Sequence, residues 1–465
     1  MDTPPDLVFA AAAPHRPGTH TDLRVEIGAL AALAGPIIFS QLGQVGMSTA
    51  DTLMVGRLGA TPLAAAGLGS ALHFFGVLIC AGILLGMAPL VSQAFGAGDI
   101  NRCRAVLVQG VWVALLLAVP LTASCILGGP IARALGQEES VVALTGGYLR
   151  ALGWGVPPLL LFMTFRQFLE AMGHVRATMI ITFLGLATNI AFNFVLIFGA
   201  GGWIEPLGVV GAGLATSITR WAMLIATLVY IHIHPELRPF HGVRLRPHRE
   251  MLRRIISIGL PAGGHFGLEV GLFSLAAVLM GWLGPLELAA HQVTINIAST
   301  TFMVALGVSF AGSIRVGQHV GAGRQAEMRN AVRATYLLAT GFMAMCALLF
   351  VIIPHTLIGL YTDDPAIIAL GGKLLLCAAA FQIFDGAQVA GTGVLRGAAD
   401  TRVPMVLAAL GYWAIGMPVG YTLAFHFHLG ALGIWIGLSA GLALVAILLL
   451  IRARKVLWGS PIAVR

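Results

Sequence analysis

Apolar residues in this chain come in long unbroken runs rather than in alternation. Six runs lie near 29–55, 62–87, 105–128, 141–169, 177–200 and 207–232. After a polar stretch six more follow, at 255–282, 288–314, 332–353, 367–395, 403–424 and 430–451. A membrane-crossing helix needs about 20 mostly apolar residues, so each run is predicted to be one spanning helix. Continuous runs speak against the period-two alternation of a transmembrane barrel. The expected fold is an all-α membrane protein of twelve transmembrane helices in two six-helix bundles. The pattern divides the chain into an N-terminal tail (1–27), a first bundle (28–232), a linker (233–254), a second bundle (255–452) and a C-terminal tail (453–465).

Composition strengthens this picture. Hydrophobic residues make up 58% of the chain and charged residues 10%, against about 25% charged in ordinary globular domains. Mean hydropathy is +0.90. A disulfide scaffold, a disordered chain, a coiled coil and an ordinary cytosolic enzyme are excluded. The formal charge of +8 follows topology rather than nucleic acid. One set of connections holds Arg102, Arg104, Arg176, the arginines from Arg238 to Arg254, Arg324, Arg329, Arg333, Arg396, Arg402, Arg452, Arg454 and Lys455. The alternate set holds only Arg57 and Arg133, with Lys373 just inside a helix. The asymmetry predicts cytoplasmic termini and a cytoplasmic linker. Residues 1–27 carry acids but no basic n-region ahead of an apolar core, so no signal peptide is expected. The five cysteines have no metal-ligand spacing and read as buried thiols.

The halves repeat. A shift of 225 residues superposes Pro36 on Pro261 and Gly56-x-Leu58-Gly59 on Gly281-x-Leu283-Gly284. It also places Leu63-Ala64-Ala65 on Leu288-Ala289-Ala290, and Gln93, Gly96 and Gly98 on Gln318, Gly321 and Gly323. At a shift of 226, Leu169 and Arg176 match Leu395 and Arg402. Each repeat has six helices and starts on the same side, which implies pseudo-two-fold symmetry about the membrane normal. Two such bundles around a central cavity would suit alternating access.

Acids inside spans carry the chemistry, because each costs several kcal/mol (roughly) unless paired or hydrated. Asp51, Glu269 and Asp385 lie well inside apolar helices; Glu170 sits at a helix end and is expected to be solvated. Carboxylate oxygens suit a hard cation, so Na⁺ is a candidate at Glu269 and Asp385. Protons compete for the same oxygens, which leaves Na⁺ and H⁺ both open as coupling ion. Asn189 and Asn193, four apart, share a helix face and are read as cavity-lining or interhelical donors. Gln292 and Asn296 are further candidates for the cavity. His265, one turn before Glu269, is a candidate hydrogen-bond partner for it. Phe381, one turn before Asp385, offers either packing or a ring face to a cation. His232, His234, His241 and His248 lie among loop arginines and are not read as a metal cluster.

Several segments together resemble the MATE (multidrug and toxic compound extrusion) family. Asp51-Thr52-Leu53-Met54-Val55-Gly56 is similar to its first-helix signature, and Pro89 to Gly98 to the end of its second helix. Ala289-Ala290-His291-Gln292-Val293, Arg315-Val316-Gly317, Leu395-Arg396-Gly397 and Asp400-Thr401-Arg402 are similar to later motifs. The acids of helices 1, 7 and 10 (Asp51, Glu269, Asp385) and the Asn189/Asn193 pair resemble the NorM-type bacterial branch. Where some relatives carry Tyr before the helix 10 Asp, this chain has Phe381, which keeps the ring and loses the hydroxyl. The resemblance implies Na⁺- or H⁺-coupled efflux of organic cations and drugs from a bacterial inner membrane. No cofactor and a monomeric state are separate expectations.

The reading is thus a secondary multidrug antiporter, not an enzyme. Glu269 and Asp385 would hold the coupling cation, and Asp51 would serve the N-terminal bundle. The rival is a lipid-linked oligosaccharide flippase of the same superfamily. A pyrophosphate lipid would call for cavity arginines, and Arg166 and Arg315 are the candidates.

Overall fold

Almost every predicted run is helical in the structure, a computed structural model that describes residues 22–199, 205–242 and 246–459. No strand occurs among them. The first repeat comprises α1 (Leu23–Gly56), α2 (Ala60–Leu84), α3 (Met87–Gly96), α4 (Ile100–Ile126), α5 (Gly128–Ala134), α6 (Glu139–Gly153), α7 (Val156–Ala171), α8 (Val175–Phe198) and α9 (Gly208–Ile233). A 3₁₀ turn over Pro235–Phe240 leads to the second repeat. It comprises α10 (Arg249–Leu283), α11 (Pro285–Gly321), α12 (Gln325–Ile352), α13 (Pro354–Gly359), α14 (Pro365–Gly397), α15 (Arg402–Ala408), α16 (Met417–Tyr421) and α17 (Gly430–Leu457). π-helical stretches at Ala409–Gly416 and Thr422–His426 connect α15, α16 and the following turn.

Eleven helices among the described residues are long and apolar enough to cross a membrane, so the chain is a multi-pass membrane protein. The run 141–169 is where expectation and structure differ: it is two shorter helices, α6 and α7, parted at Trp154-Gly155. Pro157 and Pro158 explain the break. A proline lacks the N–H that would bond the carbonyl four residues back and clashes with that carbonyl. Both are tolerated because they fall in the first turn of α7.

The tails are also shorter than expected. α1 starts at Leu23, within the stretch read as tail, and α17 runs on to Leu457. The remainder of both predicted tails, 1–21 and 460–465, and Arg244 of the linker lie outside the described residues. The described linker is tied to α4. Gln109 accepts from the His248 backbone N–H at 2.8 Å and donates to the Arg246 carbonyl at 2.9 Å. Arg104 donates to the Pro239 carbonyl.

The repeat recurs in backbone geometry. Gly98 and Gly323 both adopt left-handed φ, 71° and 68°, at matched helix ends. Gly173 has φ 94°, and its counterpart at the 226-residue shift is Ala399, with φ 62°. Both close the same C-terminal cap. The residue after each donates to the carbonyl five back: His174 to Leu169 and Asp400 to Leu395, both at 2.9 Å.

Two compact units emerge. One contains the described part of 1–38 together with 92–98 and 264–459; the other contains 39–91 and the described part of 99–263. In the first, an apolar core is built around Leu272, Met280, Phe350, Tyr412 and Trp435. There the end of α3 meets α11 through repeat-related residues. A Cβ on Gly96 would stand 1.9 Å from the Gln318 carbonyl oxygen, and one on Gly321 would stand 1.9 Å from that of Gln93. In the second, α2 and α10 approach at Gly82 and Gly263, where a Cβ on Gly82 would lie 2.1 Å from the Gly263 Cα. Small residues are what allow such approaches where no hydrophobic effect drives helices together.

Candidate functional site

Acids buried in helices are solved in three different ways, and the differences sort structural from functional groups. The first way is an ion pair. Glu26, 1% exposed, accepts from Arg315 at 2.7 and 2.8 Å, with His319 at 3.4 Å. Its position in α1, rather than in a tail, is held by that pairing. Glu170 is likewise buried rather than solvated: Arg166 donates to it at 2.6 Å, and Thr178 at 3.3 Å. The remaining Arg166 arm donates to Gln41 at 2.8 Å. The expectation of a solvated Glu170 fails because Arg166 is one helical turn away on the same face.

The second way is neutral donors. Asp51 on α1 accepts from Asn189 at 3.1 Å and from Asn193, both on α8, through Oδ1; Thr216 on α9 donates to Oδ2 at 3.1 Å. Asn193 also donates to Asn189 Oδ1 at 3.2 Å. The four-residue spacing of the asparagines puts both amides on one side of α8, where they clamp a single carboxylate. Arg220 on α9 lies close enough for its charge to act on Asp51. Its Nη2 meets His73 Nε2 at 3.2 Å, and His73 Nδ1 lies 3.4 Å from Cys125 Sγ. Sequence reasoning missed Arg220, although an arginine inside the run 207–232 was signal enough.

The third way is no partner at all. Glu269 on α10 and Asp385 on α14 are 8% and 3% exposed. Neither carboxylate has a hydrogen-bond or ion-pair partner among the described residues, yet the two are close enough to act on each other. The buried Tyr412 lies within reach of both charges, and its hydroxyl has no partner among the described residues. Tyr412 was also missed. A polar tip in the apolar run 403–424 was its only signal.

Neighbouring candidates fall as follows. His265 does not turn to Glu269. Its Nδ1 lies 3.4 Å from the Pro404 carbonyl, and Gln388 Nε2 lies 2.9 Å from its Nε2. Donation from Nδ1 to the carbonyl leaves Nε2 to accept from the amide, so both ring nitrogens are used. Phe381, 2% exposed, packs edge-on against Phe273 and Trp435 at centroid distances of 6.0 and 5.8 Å. Gln292 and Asn296 share an exposed face of α11, and Asn296 accepts from Tyr361 at 3.0 Å. The buried Thr294 between them points the other way.

A helical membrane protein built from two repeats, with carboxylates buried inside its spans, has the make-up of a transporter. The MatE family model matches residues 36–195 and 261–422, one segment in each repeat. The chain belongs to this family. It is 39% identical over 438 residues to "Probable multidrug resistance protein NorM" of Mesorhizobium japonicum, covering 92% of this chain and 94% of the relative. It is also 39% identical to the protein of the same description in Burkholderia mallei, over 96% of this chain and 95% of the relative. Among solved structures it superposes on the Vibrio cholerae MATE transporter VcmN in the bent form. The TM-score is 0.83 at 20% identity, over 94% of this chain and 98% of that one.

Proposed function

We propose that the protein is a secondary antiporter that exports organic cations and drugs in exchange for Na⁺ or H⁺ by alternating access. Its place would be a bacterial inner membrane, with both termini in the cytoplasm. The observation that carries this reading is the Glu269–Asp385 pair, two carboxylates buried together without a countercharge. Ionised together, they would repel each other in a low-dielectric interior. A bound Na⁺ or proton relieves that repulsion, and carboxylate oxygens suit a hard cation. A cationic solute attracted by the same charge must compete with the coupling ion. Mutual exclusion of two positive passengers is what antiport requires. Asp51, clamped by neutral donors, would serve as a second carboxylate for a proton or for the solute's charge.

The lipid-linked oligosaccharide reading finds less support. Arg166 and Arg315, the arginines it would call on, are committed to Glu170 and Glu26.

The test is transport of a fluorescent organic cation in proteoliposomes, driven separately by a sodium gradient and by a pH gradient, with Asp385→Asn beside wild type. One gradient should drive export, and the variant should lose most of that coupled flux. Undiminished gradient-driven transport by Asp385→Asn would remove the pair from the coupling step.

A further inference from the structure

A second group of ligating side chains lies away from the carboxylates, beside the linker. His174 occupies the turn between α7 and α8. His234 directly follows α9, with extended backbone, and Glu236 stands in the 3₁₀ turn opened by Pro235. One ring nitrogen of each histidine and one Glu236 oxygen all fall within 4.8 Å of one another. We propose that His174, His234 and Glu236 form a binding site for a divalent transition-metal ion of the Zn²⁺ class, with three protein ligands and an open fourth position.

Three observations support the assignment. First, His174 Nε2 lies 3.5 Å from Glu236 Oε2. That is long for a direct hydrogen bond. It is close to the edge of a tetrahedron with metal–ligand bonds of about 2.1 Å, roughly 3.4 Å. Second, His174 Nδ1 is 3.0 Å from the Tyr230 hydroxyl. With Nδ1–H donating there, the Nε2 lone pair is aimed at the centre, the orienting arrangement that metal-bound histidines commonly show. Third, His234 Nδ1 is buried and has no partner among the described residues. Its ring stands at 82° to that of His174, 4.9 Å away, an edge-to-face contact rather than a stack.

Two imidazoles and a carboxylate are a borderline-soft donor set, suited to Zn²⁺ rather than to Na⁺, Mg²⁺ or Ca²⁺. Glu236 is partly exposed, which gives the ion a way in. The other loop histidines take different roles: His232 and His241 stack on each other at 5.1 Å, and His241 Nε2 contacts the Ile231 carbonyl. A bound ion would fasten the 235–240 turn to the loop before α8.

The test uses the full-length protein, purified with a tag other than polyhistidine and titrated with ZnCl₂ by calorimetry and with CoCl₂ by absorption spectroscopy. Wild type should bind roughly one equivalent and give the intense visible bands of a four-coordinate Co²⁺ site. Glu236→Gln and His234→Ala should each weaken binding by at least about 10-fold, and Tyr230→Phe by a comparable factor. His232→Ala and His241→Ala should bind as wild type does. Because Glu236→Gln keeps size and exposure, its elution profile separates lost binding from lost folding. Hydrogen exchange over 235–240 should slow when Zn²⁺ is added to wild type and not to Glu236→Gln. Wild type that binds no Zn²⁺, six-coordinate Co²⁺ spectra, or binding lost equally in the His232 and His241 variants would each overturn the assignment.

Discussion

Replacing Gly321 by alanine should push two helical segments apart. The added Cβ would stand 1.9 Å from the Gln93 carbonyl oxygen, where ordinary contact begins at 3.4 Å. The end of α3 and α11 would therefore have to separate by about 1.5 Å, or bend by that much, and contacts across the seam would lose much of their dispersion energy. Overpacking of a tight core costs about 1–3 kcal/mol. The upper end is expected, because the obstacle is backbone and because Gln93 also donates to the Gly397 carbonyl at 2.9 Å. Gly96→Ala should cost the same, since its Cβ would meet the Gln318 carbonyl at the same 1.9 Å. The double variant should cost clearly less than the sum, because one separation makes room for both methyls. Gly341→Ala is the control. It lies inside α12 with nothing within 4 Å of its Cβ, and should be neutral or stabilise by up to about 1 kcal/mol. The assay is thermal unfolding of purified protein in detergent. Gly321→Ala melting with Gly341→Ala, or strictly additive losses in the double variant, would refute the reciprocal contact.

Two further outcomes are expected from the same measurement. Glu26→Gln leaves the buried Arg315 without its countercharge, for a loss of about 3–5 kcal/mol, and Glu26→Gln with Arg315→Gln should recover much of it; a single variant that melts like wild type would mean the pair is not buried as described. Ala399→Gly relieves a left-handed alanine at the cap where the first repeat already has Gly173, and should stabilise by up to about 1 kcal/mol, whereas Gly173→Ala should destabilise by a similar amount.

Much of the architecture was legible because it rests on local composition and on self-similarity. The apolar runs became helices, and the 225-residue register reappeared in the matched φ angles of Gly98 and Gly323. The four-residue spacing of Asn189 and Asn193 correctly put both amides on one face. What failed was everything that needed a partner's identity. Glu26 was assigned to a tail although Arg315, distant in sequence, holds it in a helix. Glu170 was read as solvated although Arg166 stood one turn away. His265 was offered to Glu269 and instead took the Pro404 carbonyl and Gln388. Arg220 and Tyr412 were overlooked beside the acids they accompany.

The sequence alone determined that this chain is a helical membrane protein built twice over, and that Asp51, Glu269 and Asp385 would be costly to bury. Burial cost and repeat symmetry are written in the residues themselves, so no neighbour has to be known. Only the tertiary structure decided that Glu26 and Glu170 are buried as well and neutralised by arginine, that Asp51 is clamped by amides, and that Glu269 and Asp385 stand as a bare pair. Those outcomes depend on atoms a few ångströms apart in space and, for most of them, scores or hundreds of residues apart along the chain.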